Sequence, residues 1–431
     1  MISKTNFSNR SLQQALIEAA KCLSCYDPPC TEACPVHVDV SAFIRRIKTS
    51  DFRGAVTALR ENLVFPDTCA LVCPHLKFCE KACCSRELSG GPIDIGAIQH
   101  FVATLGKEIE VKEKKLGPSG KKVAIMGAGP AGLVAGKDLM LMGHDVTVFE
   151  AQPMPGGLIT YGIPSYRLPK EVPHEEVQHI KGMGLAIHTN ECVGSADKLL
   201  QDGFDAVLIA IGAHQGLPLN IPGEELNGVR QGIDFIKSFN SGAAKSLSGK
   251  KVAVIGGGDV AIDTARSSLR LNAGEVYMVY RRSFDEMPAY EPEIDDAKKE
   301  GVNFLLLTVP TRILGRDGNV RGVECVKTRL GEVDESGRRR PIPIPGSKFE
   351  IQADIVIEAI GQKVDESFIQ NNPDIENVKG LIKVDEHLMT SHQAIFAAGD
   401  VVWGGSTVVQ SIADGKRAAV EMDKFLRGGK L

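Results

Sequence analysis

The chain of 431 residues has no excess of charge of one sign: 50 lysines and arginines stand against 54 aspartates and glutamates, a formal net charge of -4. Nucleic acid, which selects a basic surface, is therefore not the expected partner. Nor is there an uncharged apolar run approaching the roughly 18 residues that a membrane span needs. The first twenty residues, MISKTNFSNRSLQQALIEAA, contain no continuous apolar stretch of the secretory-leader kind. The expectation is a cytoplasmic chain with no membrane partner. Cysteine is scarce outside one segment, because nine of the eleven lie between Cys22 and Cys84 while Cys192 and Cys325 stand alone. Such clustering needs a local cause. A disulfide framework would require an oxidising compartment, so metal ligation is the favoured reading. What the chain does have is 43% hydrophobic residues, enough for several cores and too many for disorder.

Residues 1 to 118 read as a helical, cysteine-bearing unit. Helices are predicted over SLQQALIEAAKCL, over SAFIRRIKTSDFRGAVTALREN, and over IDIGAIQHFVATLGKEI, where Ile98, Val102, Leu105 and Ile109 recur at helical spacing. The charged, turn-rich VKEKKLGPSGKK follows as a linker. From Lys122 the pattern becomes buried strand, glycine turn, helix and strand, as in a doubly wound α/β domain. It occurs twice, in KVAIMGAGPAGLVAGKDLMLMGHDVTVFE and in KVAVIGGGDVAIDTARSSLRLNAGEVYMVYRR, which predicts two dinucleotide sites and electron movement between them. Further buried strands are expected in DAVLIAIGA, DIVIEAIGQ and AIFAAGD, each ending at a glycine turn, and GEVDESGRRRPIPIPGSK reads as an exposed hairpin or loop.

The run Cys22-x2-Cys25-x4-Cys30-x3-Cys34-Pro35 follows the ferredoxin pattern, in which three close thiolates hold one cluster and a fourth before proline ligates another. Cys73, Cys79 and Cys83 supply three more thiolates. Grouped as Cys22, Cys25 and Cys30 against Cys34, Cys73, Cys79 and Cys83, they leave the first cluster one ligand short. Thiolate tetrads also bind zinc, but zinc carries no electrons and would be idle beside two nucleotide sites. Cys69 and Cys84 are left over as packing residues.

In Gly127-x-Gly129-x-x-Gly132, the preceding strand and following helix supply the context of a pyrophosphate loop. Glu150 closes the next strand eighteen residues on, where a carboxylate accepts from an adenosine ribose 2′-hydroxyl, which suits FAD or NAD. In the second site, Gly256-x-Gly258-x-x-Ala261, the equivalent position is Tyr280, followed by Arg281 and Arg282. Loss of the carboxylate and gain of two guanidinium groups fits the 2′-phosphate of NADPH. NADH stays open.

With these residues in place the chain resembles the flavin and iron-sulfur subunit of bacterial NAD(P)-dependent dihydropyrimidine dehydrogenases, a branch of the family that includes the glutamate synthase small subunit. The resemblance runs from about Ala20 to Lys424 and is most specific in the cysteine pattern and in FAAGD. It implies an α/β fold with a helical iron-sulfur domain followed by two Rossmann-like domains, the second inserted in the first. The boundaries expected are 1–118 for two 4Fe-4S clusters, 119–231 with 361–431 for FAD, and 232–360 for NAD(P)H. It makes Gln99 the missing eighth ligand. It assigns Gly156, Gly157, Arg167, Gly399 and Asp400 to FAD, and Gly256, Gly257, Gly258, Asp259, Arg281, Arg282 and the turn at Gly361 to the nicotinamide coenzyme. SFDEMPA stands where animal relatives have a further arginine. Nothing in the chain resembles the FMN barrel of the full-length animal enzyme, so the implied partner is an FMN- and iron-sulfur-containing subunit that reduces uracil or thymine. Competing expectations are a glutamate synthase small subunit, the large subunit of a ferredoxin-linked transhydrogenase, and a non-enzymatic docking scaffold.

Overall fold

Asp39, Asp51 and Asp94 each accept the backbone N-H three residues ahead, and each thereby starts a helix: Val40–Lys48, Phe52–Arg60 and Ile95–Leu105. The predicted single helix over residues 41–62 is thus two. Its break falls at Ser50, whose φ of 59 no helix accommodates, with Asp51 capping the second piece. The third helix ends at Leu105, so Ile109 lies beyond it. The computed structural model describes residues 12–88, 91–109, 111 and 113–429, and the sequence expectations that touch residues 1–11 and position 112 lie outside these. Among the described residues no helix is long and apolar enough to cross a membrane.

The chain forms two compact units. The first comprises residues 1–160, 165–213 and 364–431, and combines the cysteine-bearing helices with a five-stranded parallel sheet. Its strand order is Ile395–Ala397, Ala206–Ile209, Lys122–Met126, Asp145–Glu150, Ala186–Thr189. Met126, Ile209 and Ala397 are buried at the sheet centre, as parallel strands covered on both faces require. The linker is tied down: Glu113 pairs with buried Lys137 at 2.6 Å, and the Leu116 N-H donates to the carbonyl of Leu141 at 2.7 Å.

The second unit comprises residues 161–164 and 214–363. Its parallel sheet repeats the same plan in the order Val229–Gln231, Ile355–Glu358, Lys251–Ile255, Glu275–Val279, Asn303–Leu305. The unit begins at 214 rather than 232, because Val229–Gln231 pairs with Ile355–Glu358 and is an edge strand of this sheet. A four-stranded antiparallel sheet accompanies it, in which Asn319–Val333 and Arg339–Pro343 pair as a hairpin closed by residues 334–338.

Candidate functional site

The glycine loop of the first unit leaves no room for side chains at two positions. A Cβ on Gly132 would lie 2.0 Å from the carbonyl oxygen of Gly127, and one on Gly127, at φ 102, would lie 2.5 Å from that of Ala210. Gly129 has an open approach and precedes the helix Pro130–Leu141, whose proline suits the first helical position. The loop therefore presents backbone N-H groups and a helix N-terminus to an anion. Glu150, buried at the strand end, accepts from the Ala128 N-H on one oxygen and the Gln152 N-H on the other, each at 2.8 Å. Each oxygen keeps a lone pair for a ribose hydroxyl.

A second loop closes on the first. The Gly156 N-H donates to the carbonyl of Ala128 at 2.7 Å, and a Cβ on Gly157 would sit 2.9 Å from the Cα of Gly129. Gly399, at φ 78, packs beside Ala131, which brings Asp400 to the same end of the sheet. Burial raises the Asp400 carboxyl against hydrogen bonds from the Ser406 hydroxyl and N-H and from Ser411. Arg167 is half-buried. Two residues here had no local signal in the sequence. Asp414 accepts from the Gly399 N-H and the Trp403 indole and is pushed up by burial to about 6. Gly415 lets the helix Val408–Leu426 approach so closely that a Cβ would lie 2.3 Å from the carbonyl oxygen of Ala131. The cradle fits a dinucleotide of the FAD kind.

The thiols fall into two groups, and the grouping departs from the sequence reading. Cys22, Cys25, Cys30 and Cys83, with the exposed Cys84, line one cavity. Burial and the neighbouring Cys83 and Cys22 push the Cys30 thiol up to about 12. Cys83 thus stands with Cys22, Cys25 and Cys30 around this cavity, and Gln99 does not line it. Cys34, Cys73 and Cys79 form the second grouping: burial and then Cys73, Glu80, Cys34 and, last, Cys30 raise the Cys79 thiol well above its ordinary value. Burial also raises Cys34, opposed by N-H donors from Val38, Val36 and His37. The short segment after Cys73 turns through a 3-10 helix, His75–Lys77, after which Cys83 lines the cavity of the first thiols and Cys79 does not.

Gln99 belongs beside the second set. Its amide nitrogen donates to the carbonyl of Pro66 at 2.8 Å, on the helix that ends at Cys73, and one turn earlier the Gly96 N-H donates to Glu80, the neighbour of Cys79. The side chain is buried. Cys69 is fully buried near Cys73 and Cys34. Among the described residues no three His, Cys, Asp or Glu side chains converge as a single metal ion needs. Cys22, Cys25, Cys30 and Cys83 line one shared cavity, a donor set that suits a multi-iron cluster.

In the second unit a Cβ on Gly256, at φ 150, would lie 2.2 Å from the carbonyl oxygen of Ala359, and one on Gly257 would strike the ring of Tyr280 at 2.4 Å. Gly258 is open and leads into the helix Asp259–Arg270. Gly361, at φ 148, turns the chain after Ile355–Glu358. Asp259 is exposed and accepts from the Tyr290 N-H at 2.9 Å, a local tie to the start of the helix Glu291–Glu300. Arg281 is exposed, but Arg282 is 2% exposed and committed elsewhere. Its guanidinium donates to the Arg339 carbonyl at 2.7 Å and to the Asp334 carboxylate at 2.6 Å. It anchors the hairpin, and the assignment of Arg282 to a 2′-phosphate is corrected accordingly.

Two glycine-loop sheets and a thiol-lined helical region define a nicotinamide-linked flavin and iron-sulfur oxidoreductase. Residues 121–418 match the pyridine nucleotide-disulphide oxidoreductase family, and residues 3–111 match dihydropyrimidine dehydrogenase domain II, 4Fe-4S cluster. The chain belongs to the pyridine nucleotide-disulphide oxidoreductase family. It is 41% identical to the NADP(+)-dependent formate dehydrogenase subunit beta of Moorella thermoacetica, over 93% of this chain and 60% of that one. It is 37% identical to the NADPH-Fe(3+) oxidoreductase subunit beta of Geobacter sulfurreducens, over 94% and 64%. With the glutamate synthase [NADPH] small chain of Escherichia coli it shares 34% identity over 94% and 90%. The chain thus spans less than two thirds of the first two relatives. FprA of Mycobacterium tuberculosis in complex with NADPH shares the fold, with a TM-score of 0.60 at 22% identity over 72% of this chain and 85% of that one. So does Lactococcus lactis thioredoxin reductase, at 0.53 and 24% over 72% and 99%.

Proposed function

We propose that this chain is an electron-input subunit that oxidises NADPH at its second unit and passes electrons through its first unit, by FAD and two 4Fe-4S clusters, to a partner chain. The observation that carries this reading is the joining of the thiol-bearing helices and the Glu150 dinucleotide cradle in one compact unit. FAD, when bound, supplies the conversion of a hydride's two electrons into single ones. Gly127, Gly129, Gly132, Gly156, Gly157 and Glu150 hold its dinucleotide portion, and Gly399 with Asp400 contacts it from the opposite loop. Cys22, Cys25, Cys30 and Cys83 hold one cluster, and Cys34, Cys73, Cys79 and Gln99 the other.

For the partner, the reading is an FMN- and iron-sulfur-containing subunit that reduces uracil or thymine, supported by the match of residues 3–111 and by the buried place of Gln99 against the helix that leads to Cys73. A second reading is favoured by relatives whose names specify formate, ferric iron and glutamate. Co-purification from the native source under anaerobic conditions, followed by assays with uracil, with formate, with ferric iron and with glutamine plus 2-oxoglutarate, decides between them. NADPH-dependent uracil reduction is the expected result; activity confined to another acceptor would replace the pyrimidine reading.

A further inference from the structure

We propose that Arg338, on the turn of the antiparallel hairpin, joins Arg281 as the second guanidinium of the coenzyme 2′-phosphate site. The inference rests on the reading that the second unit takes NADPH, and adds to it a residue 57 positions from the strand end, on a different element.

Four contacts staple the hairpin to the strand end that carries Arg281 and the turn after it. Arg282 donates to the Arg339 carbonyl and to Asp334, Arg339 pairs with Glu286 at 2.5 Å, and the Thr328 hydroxyl donates to the Arg281 carbonyl at 3.0 Å. The turn itself is closed by the Asp334 N-H donating to the Arg338 carbonyl at 2.8 Å. The turn that carries Arg338 is thereby held against the strand end that carries Arg281. Its Nε donates to the Ser336 hydroxyl at 3.1 Å, and among the described residues its charge meets no carboxylate within ion-pair distance. The Arg281 guanidinium likewise has no ion pair or hydrogen bond among the described residues. The acid closest to hand, Asp334, is already engaged by Arg282 and by Ser336.

Like charges on the stapled hairpin repel: after partial burial and Arg282, Arg338 also lowers the basicity of Arg281, against opposing effects of Tyr280 and Asp334. A phosphate dianion removes that cost and accepts a bidentate fork from each guanidinium. A ribose hydroxyl does neither. The pair therefore discriminates NADPH from NADH, and Arg338 stands in for the arginine missing from SFDEMPA.

The test uses the full chain with its flavin and clusters, ferricyanide as acceptor, and the probes 2′,5′-ADP and 5′-AMP as inhibitors. Arg338→Gln should raise KM for NADPH and Ki for 2′,5′-ADP about tenfold more than KM for NADH and Ki for 5′-AMP, with Arg338→Lys intermediate. Equal changes for both coenzymes, or none for either, would overturn the role of Arg338. If the unaltered protein binds 2′,5′-ADP no better than 5′-AMP, the NADPH reading itself fails and the inference falls with it. Discrimination that is present in the unaltered protein and survives in Arg338→Gln sinks the inference alone.

Discussion

The hydroxyl of Thr68, on the helix Pro66–Val72, donates to the carboxylate of Glu176, on the helix Glu171–Gly182 of the sheet-bearing part of the same unit. The N-H groups of Asp67 and Thr68 donate to the same carboxylate, the former at 2.7 Å, so it caps the start of the helix that leads to Cys73. Burial nevertheless pushes this carboxyl up to about 8 from an ordinary 4.5, the three donors notwithstanding.

A pH dependence follows. A raised folded-state pKa means that the folded chain keeps a proton which the unfolded chain releases, so stability is full below pH 4.5 and is lost as pH rises toward about 8. Glu176→Gln cannot ionise. Urea midpoints at pH 5.5, 7 and 8.5 should fall with pH in the unaltered protein and change by roughly half as much, or less, in the variant. Parallel slopes would remove Glu176 from the explanation.

Purified without oxygen, the chain should carry about one FAD and about eight irons, as two four-iron clusters require. Tightly bound zinc with no acid-labile sulfide would restore the zinc reading of the thiols.

The regrouping of the ligands is open to direct test. Cys83→Ser should abolish the cluster of Cys22, Cys25 and Cys30, while Gln99→Leu should retune or destabilise the cluster of Cys34, Cys73 and Cys79 and leave the first intact. Paramagnetic resonance of the reduced variants separates the two signals. If Gln99→Leu altered the first cluster, the grouping around the shared cavity would be wrong.

Arg282→Ala should lower Tm by several degrees, because it releases the hairpin and strips Asp334 of its guanidinium partner. Its effect on KM should be similar for NADPH and NADH, in contrast to Arg338→Gln. A selective loss of NADPH binding with unchanged Tm would return Arg282 to the phosphate.

Gly132→Ala places a methyl group 2.0 Å from the Gly127 carbonyl oxygen, and neither atom belongs to a flexible side chain. Overpacking of this kind costs about 1–3 kcal/mol, spent here on distorting the loop that faces the pyrophosphate. Flavin retention on gel filtration should fall sharply. Full retention would show that the loop adjusts without loss.

Some features were legible because they depend on neighbours in the chain. A loop that must pass backbone against backbone admits only glycine, so Gly127, Gly132 and Gly256 announce themselves by spacing, and Glu150 follows from the length of one helix and one strand. The repeat of strand, loop and helix likewise disclosed two parallel sheets. The break at Ser50 was hidden because the apolar spacing on either side runs in phase across it.

The sequence by itself determined which chemical groups are present and how each is spaced within its own turn, since local backbone geometry follows from local residues. Tertiary structure decided which groups meet. Cys79 and Cys83 are four residues apart yet only Cys83 lines the cavity of Cys22, Cys25 and Cys30, and Arg281 and Arg282 are adjacent yet one is exposed and the other buried against Asp334. Asp414 finds the Gly399 N-H, and Thr68 finds Glu176, only when distant elements pack. Such meetings are set by the shape of the whole core, which a run of neighbouring residues does not encode.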